Sequence, residues 1–152
     1  SAQRSTVFAY MMNVHNLPHL LKECMDVEIH HTTAEMQKGA TYIFSMTRLG
    51  ITQPVKIRVT EFHKDSLVTY RQVQGLFHTW THTQKFEDEK PGQTLVTDIV
   101  EYQMSFGLIG LLLDDLWIRR DMQGILESRL VEAARYFTQE QESIVERQQS
   151  PS

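Results

Sequence analysis

The 152-residue chain is 41% hydrophobic with a formal net charge of -4, which suits one compact domain able to bury a core without metals or crosslinks. Its acidic balance and dispersed Lys and Arg leave no basic stripe for phosphate binding, so nucleic acid is excluded as a partner. The lone Cys24 has no internal partner and points to a reducing, cytoplasmic setting. No basic-then-apolar leader opens the sequence, and its longest apolar run, Leu108 to Leu113 with Gly110 inside it, falls far short of the roughly 20 residues that a membrane span needs.

In chain order, Ser5 or Thr6 caps a short helix carrying Val7, Phe8, Tyr10 and Met11, and Asn16-Leu17-Pro18 opens a second. From Val27 the apolar period becomes two. Val27, Ile29 and His31 share a face, followed by Tyr42, Phe44 and Met46 after the Lys38-Gly39 turn, and by Val55, Ile57 and Val59 after Gly50. Further strands are expected over residues 66–73, 76–87 and 93–104, with Glu89-Lys90-Pro91-Gly92 as the last turn. Connections this short require antiparallel neighbours. Along the fifth strand Trp80, His82, Gln84 and Phe86 alternate with Thr79, Thr81, Thr83 and Lys85. After Phe106-Gly107 the period turns helical, and Ile118, Met122, Ile125, Leu126, Arg129, Leu130, Ala133, Tyr136 and Phe137 form one broad stripe. The fold class is therefore α+β, a meander of about six strands with a long C-terminal helix. Residues 1–138 form a single domain, and 139–152 a polar helical extension or frayed tail.

This order of elements resembles the helix-grip fold of the SRPBCC or START-like superfamily, in which a curved antiparallel sheet of six to seven strands wraps the terminal helix. The resemblance rests on Val7-Phe8-Ala9-Tyr10 with Asn16-Leu17, the stretch from Gly75 to His82 continuing to Phe86, Thr94 with Asp98, Glu101 and Tyr102, Phe106-Gly107 with Gly110, and Ile125-Leu126 with Arg129. Together these span residues 6–137 and look like the pattern of one bacterial ligand-binding branch related to polyketide cyclases and coenzyme Q-binding proteins. The family opens on a full strand before its first helix, whereas Ser1 to Arg4 alone precede the cap here, so that strand is expected to be short or missing. The resemblance implies a cavity and leaves its use open.

The candidate lining of that cavity is Tyr42, Phe44, Met46, Val55, Ile57, Val59, Trp80, His82 and Phe86 from the sheet, with Met122, Ile125, Leu126 and Arg129 from the helix. The opposing reading is an ordinary filled core. Trp80 and His82, alternate residues on one strand, face the same way about 7 Å apart and suit a ring-bearing ligand. A carboxylate such as Asp98 beside His82 would raise its pKa and make it a proton shuttle, while the plainer role is a structural hydrogen bond. Arg129, a permanent cation in an apolar stripe, needs an anion: Asp98 or Glu101 as a structural partner, or a ligand carboxylate or phenolate. His82, Arg129 and Tyr42 are the candidate acid, base and oxyanion groups if the chain is an enzyme of the cyclase or aromatase kind.

No metal is expected, because His30 and His31 point to opposite faces, His78 and His82 lie about 13 Å apart along a strand, and His15 and His19 lack a third ligand. No cofactor is expected either, since the sequence has no P-loop, dinucleotide fingerprint or nucleophile elbow. The dense apolar cluster from Leu108 to Trp117 is a candidate gate, membrane-surface site, homodimer contact or interaction surface, or else extra packing on the short helices. Three functions follow: binding of a small hydrophobic molecule such as a lipid, isoprenoid quinone or aromatic metabolite; a cyclase-type enzyme using the same cavity; or a protein-interaction module.

Overall fold

The computed structural model describes residues 2–33, 35–104 and 115–149. Helix α1 spans Arg4–Met12, a single 3-10 turn Val14–Asn16 follows, and α2 spans Leu17–Leu21. Six strands come next: β1 Asp26–Thr32, β2 Thr41–Arg48, β3 Ile51–His63, β4 Leu67–Gln74, β5 Thr79–Lys90 and β6 Gln93–Gln103. Helix α3, Asp115–Gln149, closes the chain with 35 residues. The strands pair antiparallel in sequence order, giving one curved sheet, β1-β2-β3-β4-β5-β6. This is the helix-grip arrangement that the order of apolar periods predicts.

Local chemistry departs from expectation at three points. α1 begins at Arg4, before both expected caps, and Gln3 at its N-cap makes no side-chain bond to the helix. Asn16 does hold the N-cap position of α2 with Pro18 in the first turn, but its Nδ2 donates to the Tyr10 carbonyl at 2.9 Å and so ties α2 back to α1. β5 starts at Thr79, later than the expected Leu76. Gln72 Nε2 donates to the Phe77 carbonyl at 2.7 Å and folds residues 75–78 into a connection.

A β-bulge between Ile29 and His31 corrects the reading of β1. Ile29 pairs with Phe44 and Thr32 with Tyr42, so Thr32 takes the inward place assigned to His31, which is exposed opposite Ile43. His30 is exposed as well, with Nε2 2.8 Å from Ser45 Oγ. The two imidazoles therefore both face away from the interior, and the expectation that they straddle the sheet fails.

Register builds the inner face in rows. Val59, Tyr70, His82 and Val100 lie opposite one another across β3 to β6, and Val68, Gln84 and Asp98 form the next row. At the Phe86 end of the sheet the interior is filled: Phe8 meets Phe86 edge-on at 5.1 Å and Phe62 at 5.9 Å, and Tyr10 stacks on Tyr136 at 4.0 Å. α1 thereby clamps the second half of α3, whose Ala133 and Phe137 are buried in the same core.

Of the apolar cluster Leu108–Trp117, residues 108–114 lie outside the described residues, Leu116 and Trp117 fall in the first turn of α3, and Trp117 is 53% exposed. Among the described residues no helix is long and apolar enough to cross a membrane.

Candidate functional site

β5 alternation points His82 and Gln84 inward, β6 brings Asp98 opposite Gln84, and α3 lowers Arg129 onto them. His82 Nε2 donates to Asp98 Oδ1 at 2.9 Å, and Gln84 Nε2 donates to the same oxygen at 2.8 Å. Arg129 Nη1 donates to Oδ2 at 3.2 Å, while its Nη2 donates to Gln84 Oε1 at 3.1 Å. All four side chains are buried, with Asp98 only 3% exposed. The guanidinium and the carboxylate cancel, so the island is polar and electrically neutral provided His82 is neutral.

It is neutral for a physical reason. Burial disfavours the imidazolium, and the Arg129 charge adds to that; together they outweigh the Asp98 hydrogen bond, so the His82 pKa falls below its usual value. The expectation that Asp98 would raise it is overturned, because the same carboxylate is already matched by Arg129. Burial would push the Asp98 carboxyl up, but hydrogen bonds from His82 and Gln84 and the charge of Arg129 win, leaving it lowered and ionised. Of the anions considered for Arg129, Asp98 is the partner, whereas Glu101 lies on the exposed side of β6.

The predicted lining residues divide into two sets. Tyr42, Phe44, Val55, Val59 and Phe86 are buried in the packed core. Met46, Ile57, Trp80, Met122, Ile125 and Leu126 are half-buried. Trp80 meets the His82 ring edge-on at 5.5 Å. Tyr42 sits on β2, buried, with its phenol raised by that burial. The hydrogen bonds that bring His82 and Arg129 together run through Asp98 and do not include Tyr42.

Two participants escaped the sequence reading. Gln84, placed on the right face but given no role, bridges Asp98 and Arg129. Tyr70 stands 6.1 Å from the His82 ring and donates from its hydroxyl to Met12 Sδ at 3.1 Å, with burial driving its phenol strongly upward. Two-residue spacing from Val68 was the available signal. A buried carboxylate on the far side of α3, Glu132, was also missed. It is ion-paired to Lys22 at 2.9 Å and to Arg135, and these lower its pKa.

Polar clamps flank the half-buried set. Arg48 of β2 grips Asp121 of α3 through both carboxylate oxygens, with Nη2 to Oδ1 at 2.7 Å. Arg129 reaches from α3 to Asp98 eight residues later, about 12 Å along a helix. Met122, Ile125 and Leu126 lie on the stretch of α3 between these two ion pairs.

Two grooves of about 370 and 350 Å³ lie elsewhere, between α1, the β5–β6 hairpin and the second half of α3. Val96, Leu130, Ala134 and Phe137 contribute to their walls, and none of the predicted lining does. Among the described residues no three His, Cys, Asp or Glu side chains gather as a metal would require.

Comparison with known proteins agrees with this architecture. Residues 1–121 match the family model described as polyketide cyclase / dehydrase and lipid transport. A crystal structure of a protein from Thermus thermophilus aligns with a TM-score of 0.68 at 20% identity, over 87% of each chain. Major latex-like protein 151 from Panax ginseng aligns at 0.61 and 13% identity, covering 88% of this chain and 90% of that one. The di-domain StfQ of the steffimycin biosynthetic pathway aligns at 0.64 and 13% identity, covering 88% of this chain and 45% of its own. No curated protein matches the sequence. At such identities the solved structures speak for fold alone, and the family model is what assigns membership: the chain belongs to the polyketide cyclase / dehydrase and lipid transport family.

Proposed function

We propose that the protein binds a small hydrophobic molecule, of the lipid, isoprenoid or aromatic kind, between the concave face of the sheet and the first half of α3. One observation carries the reading. Met122, Ile125 and Leu126 of α3 are half-buried and stand outside the core cluster, while Met46, Ile57 and Trp80, also half-buried, edge that core on the sheet side. Apolar surface left in water costs about 25 cal/mol per Å², so a guest that covers it gains what internal packing does not supply. Because Asp98 already satisfies Arg129 and Asp121 satisfies Arg48, neither flanking arginine is spare, which favours a neutral guest over a carboxylate. A cytoplasmic setting belongs to the same proposal and rests on the free thiol of Cys24.

Nile red, a neutral fluorescent probe, tests the location. Leu126→Trp adds bulk at the proposed site and is expected to weaken binding about tenfold or more, while Ala134→Trp, in the outer groove, leaves it unchanged. Loss of binding in Ala134→Trp with none in Leu126→Trp would move the ligand outside and end the proposal.

A further inference from the structure

Resting on that reading of the site, we infer that His82 selects for a guest bearing a hydroxyl or N–H group, because its Nδ1 is a hydrogen-bond acceptor left without a partner on a ring that meets Trp80. The tautomer follows from the geometry. Asp98 is a carboxylate that already receives Arg129 and Gln84, so it accepts from His82, and the imidazole proton must sit on Nε2, 2.9 Å away. A neutral ring then carries a bare lone pair on Nδ1.

Among the described residues that nitrogen has no hydrogen-bond partner, although the side chain is only 9% exposed. Nδ1 is not among the fully enclosed, unbonded side-chain atoms of the described residues, so it keeps some exposure. Burying an acceptor without a donor costs on the order of 1–3 kcal/mol, so a dry guest lacking a donor is penalised and one that supplies a proton is rewarded. Trp80 packs edge-on with the imidazole at 5.5 Å and so places an aromatic ring next to it.

Together these select a neutral, ring-bearing molecule with a phenolic, enolic or amine donor. A quinone or ester that carries acceptors alone leaves Nδ1 unpaired. The polar island is a positioning device: Asp98 fixes the tautomer, Arg129 keeps Asp98 ionised, and Gln84 joins the two.

The test compares two probes of similar shape, 2-naphthol and 2-methoxynaphthalene, by calorimetric titration of the wild-type chain. Naphthol is expected to bind about tenfold more tightly, the worth of one hydrogen bond. In His82→Leu that preference is expected to vanish while binding of the methoxy compound persists. Equal binding of both probes by the wild type would overturn the inference and leave the hydrophobic-site reading standing. A preference that survives in His82→Leu would also overturn it, since the acceptor would then be another group. Failure of both probes to bind would remove the site itself.

Discussion

His82 shows how one side chain records its surroundings in its protonation. Burial and the Arg129 charge depress its pKa in the native state, whereas in the unfolded chain it titrates near 6.5. Below that value the unfolded state takes up a proton that the folded state refuses, so stability declines as pH falls from about 6.5 toward the native pKa. Asp98, also depressed, withdraws a second increment once the pH drops below about 3.8. Urea unfolding between pH 7 and 5 is expected to show the first decline, and His82→Gln, which keeps an amide donor for Asp98, to flatten it. An unchanged slope in that variant would assign the effect to the other six histidines. The sequence made Arg129 conspicuous as a cation in an apolar stripe, and Asp98 as a candidate partner. Glu132 was not conspicuous, because a carboxylate on a helix reads as solvated until α2 covers it with Lys22. The sign of the His82 shift was illegible for a related reason: it depends on whether the neighbouring carboxylate is already neutralised, and that is settled by α3 rather than by β5.

Among the elements, the strands were the most legible, since alternation survives wherever one face is buried. What alternation cannot register is an inserted residue. The bulge at Ile29–His31 turns His31 outward without altering any residue type, and its cause is the pairing with β2. The β2–β3 turn offers a direct check on local backbone chemistry. Leu49 and Gly50 both have positive φ, 51° and 78°, and Leu49 is 89% exposed, so its side chain contributes nothing to offset a conformation that L-residues avoid. Leu49→Asn, which tolerates that region, is expected to raise stability by about 1 kcal/mol in urea unfolding. A loss of stability would mean that Leu49 makes contacts its exposure conceals. The helix caps illustrate the opposite case. Asn16 was correctly placed at the start of α2, but its amide binds the end of α1, because a five-residue helix gains more from being tied to its neighbour than from a cap.

For the whole molecule, the helix-grip plan was readable from the order of periods, two short helices, a meander and one long helix, while the state of the interior was not. A side chain that faces inward has the same spacing whether it meets a neighbour or a gap. Phe44, Val59 and Phe86 are packed core, Met46 and Ile57 are half-buried at the edge of that core, and Leu126 is half-buried outside it. The difference follows position: α1 packs Phe8 on Phe86 and Tyr10 on Tyr136 and Phe137 at one end, whereas Met122, Ile125 and Leu126 lie on the part of α3 between the Asp121 and Arg129 ion pairs. On this account the ligand occupies the margin of the core rather than its centre. The most direct measurement is a titration of methyl-labelled protein with 2-naphthol followed by NMR. Shifts are predicted at Met46, Ile57, Met122, Ile125 and Leu126 and at the Trp80 indole, and shifts confined to Val96, Leu130 and Ala134 in the outer groove would contradict the account.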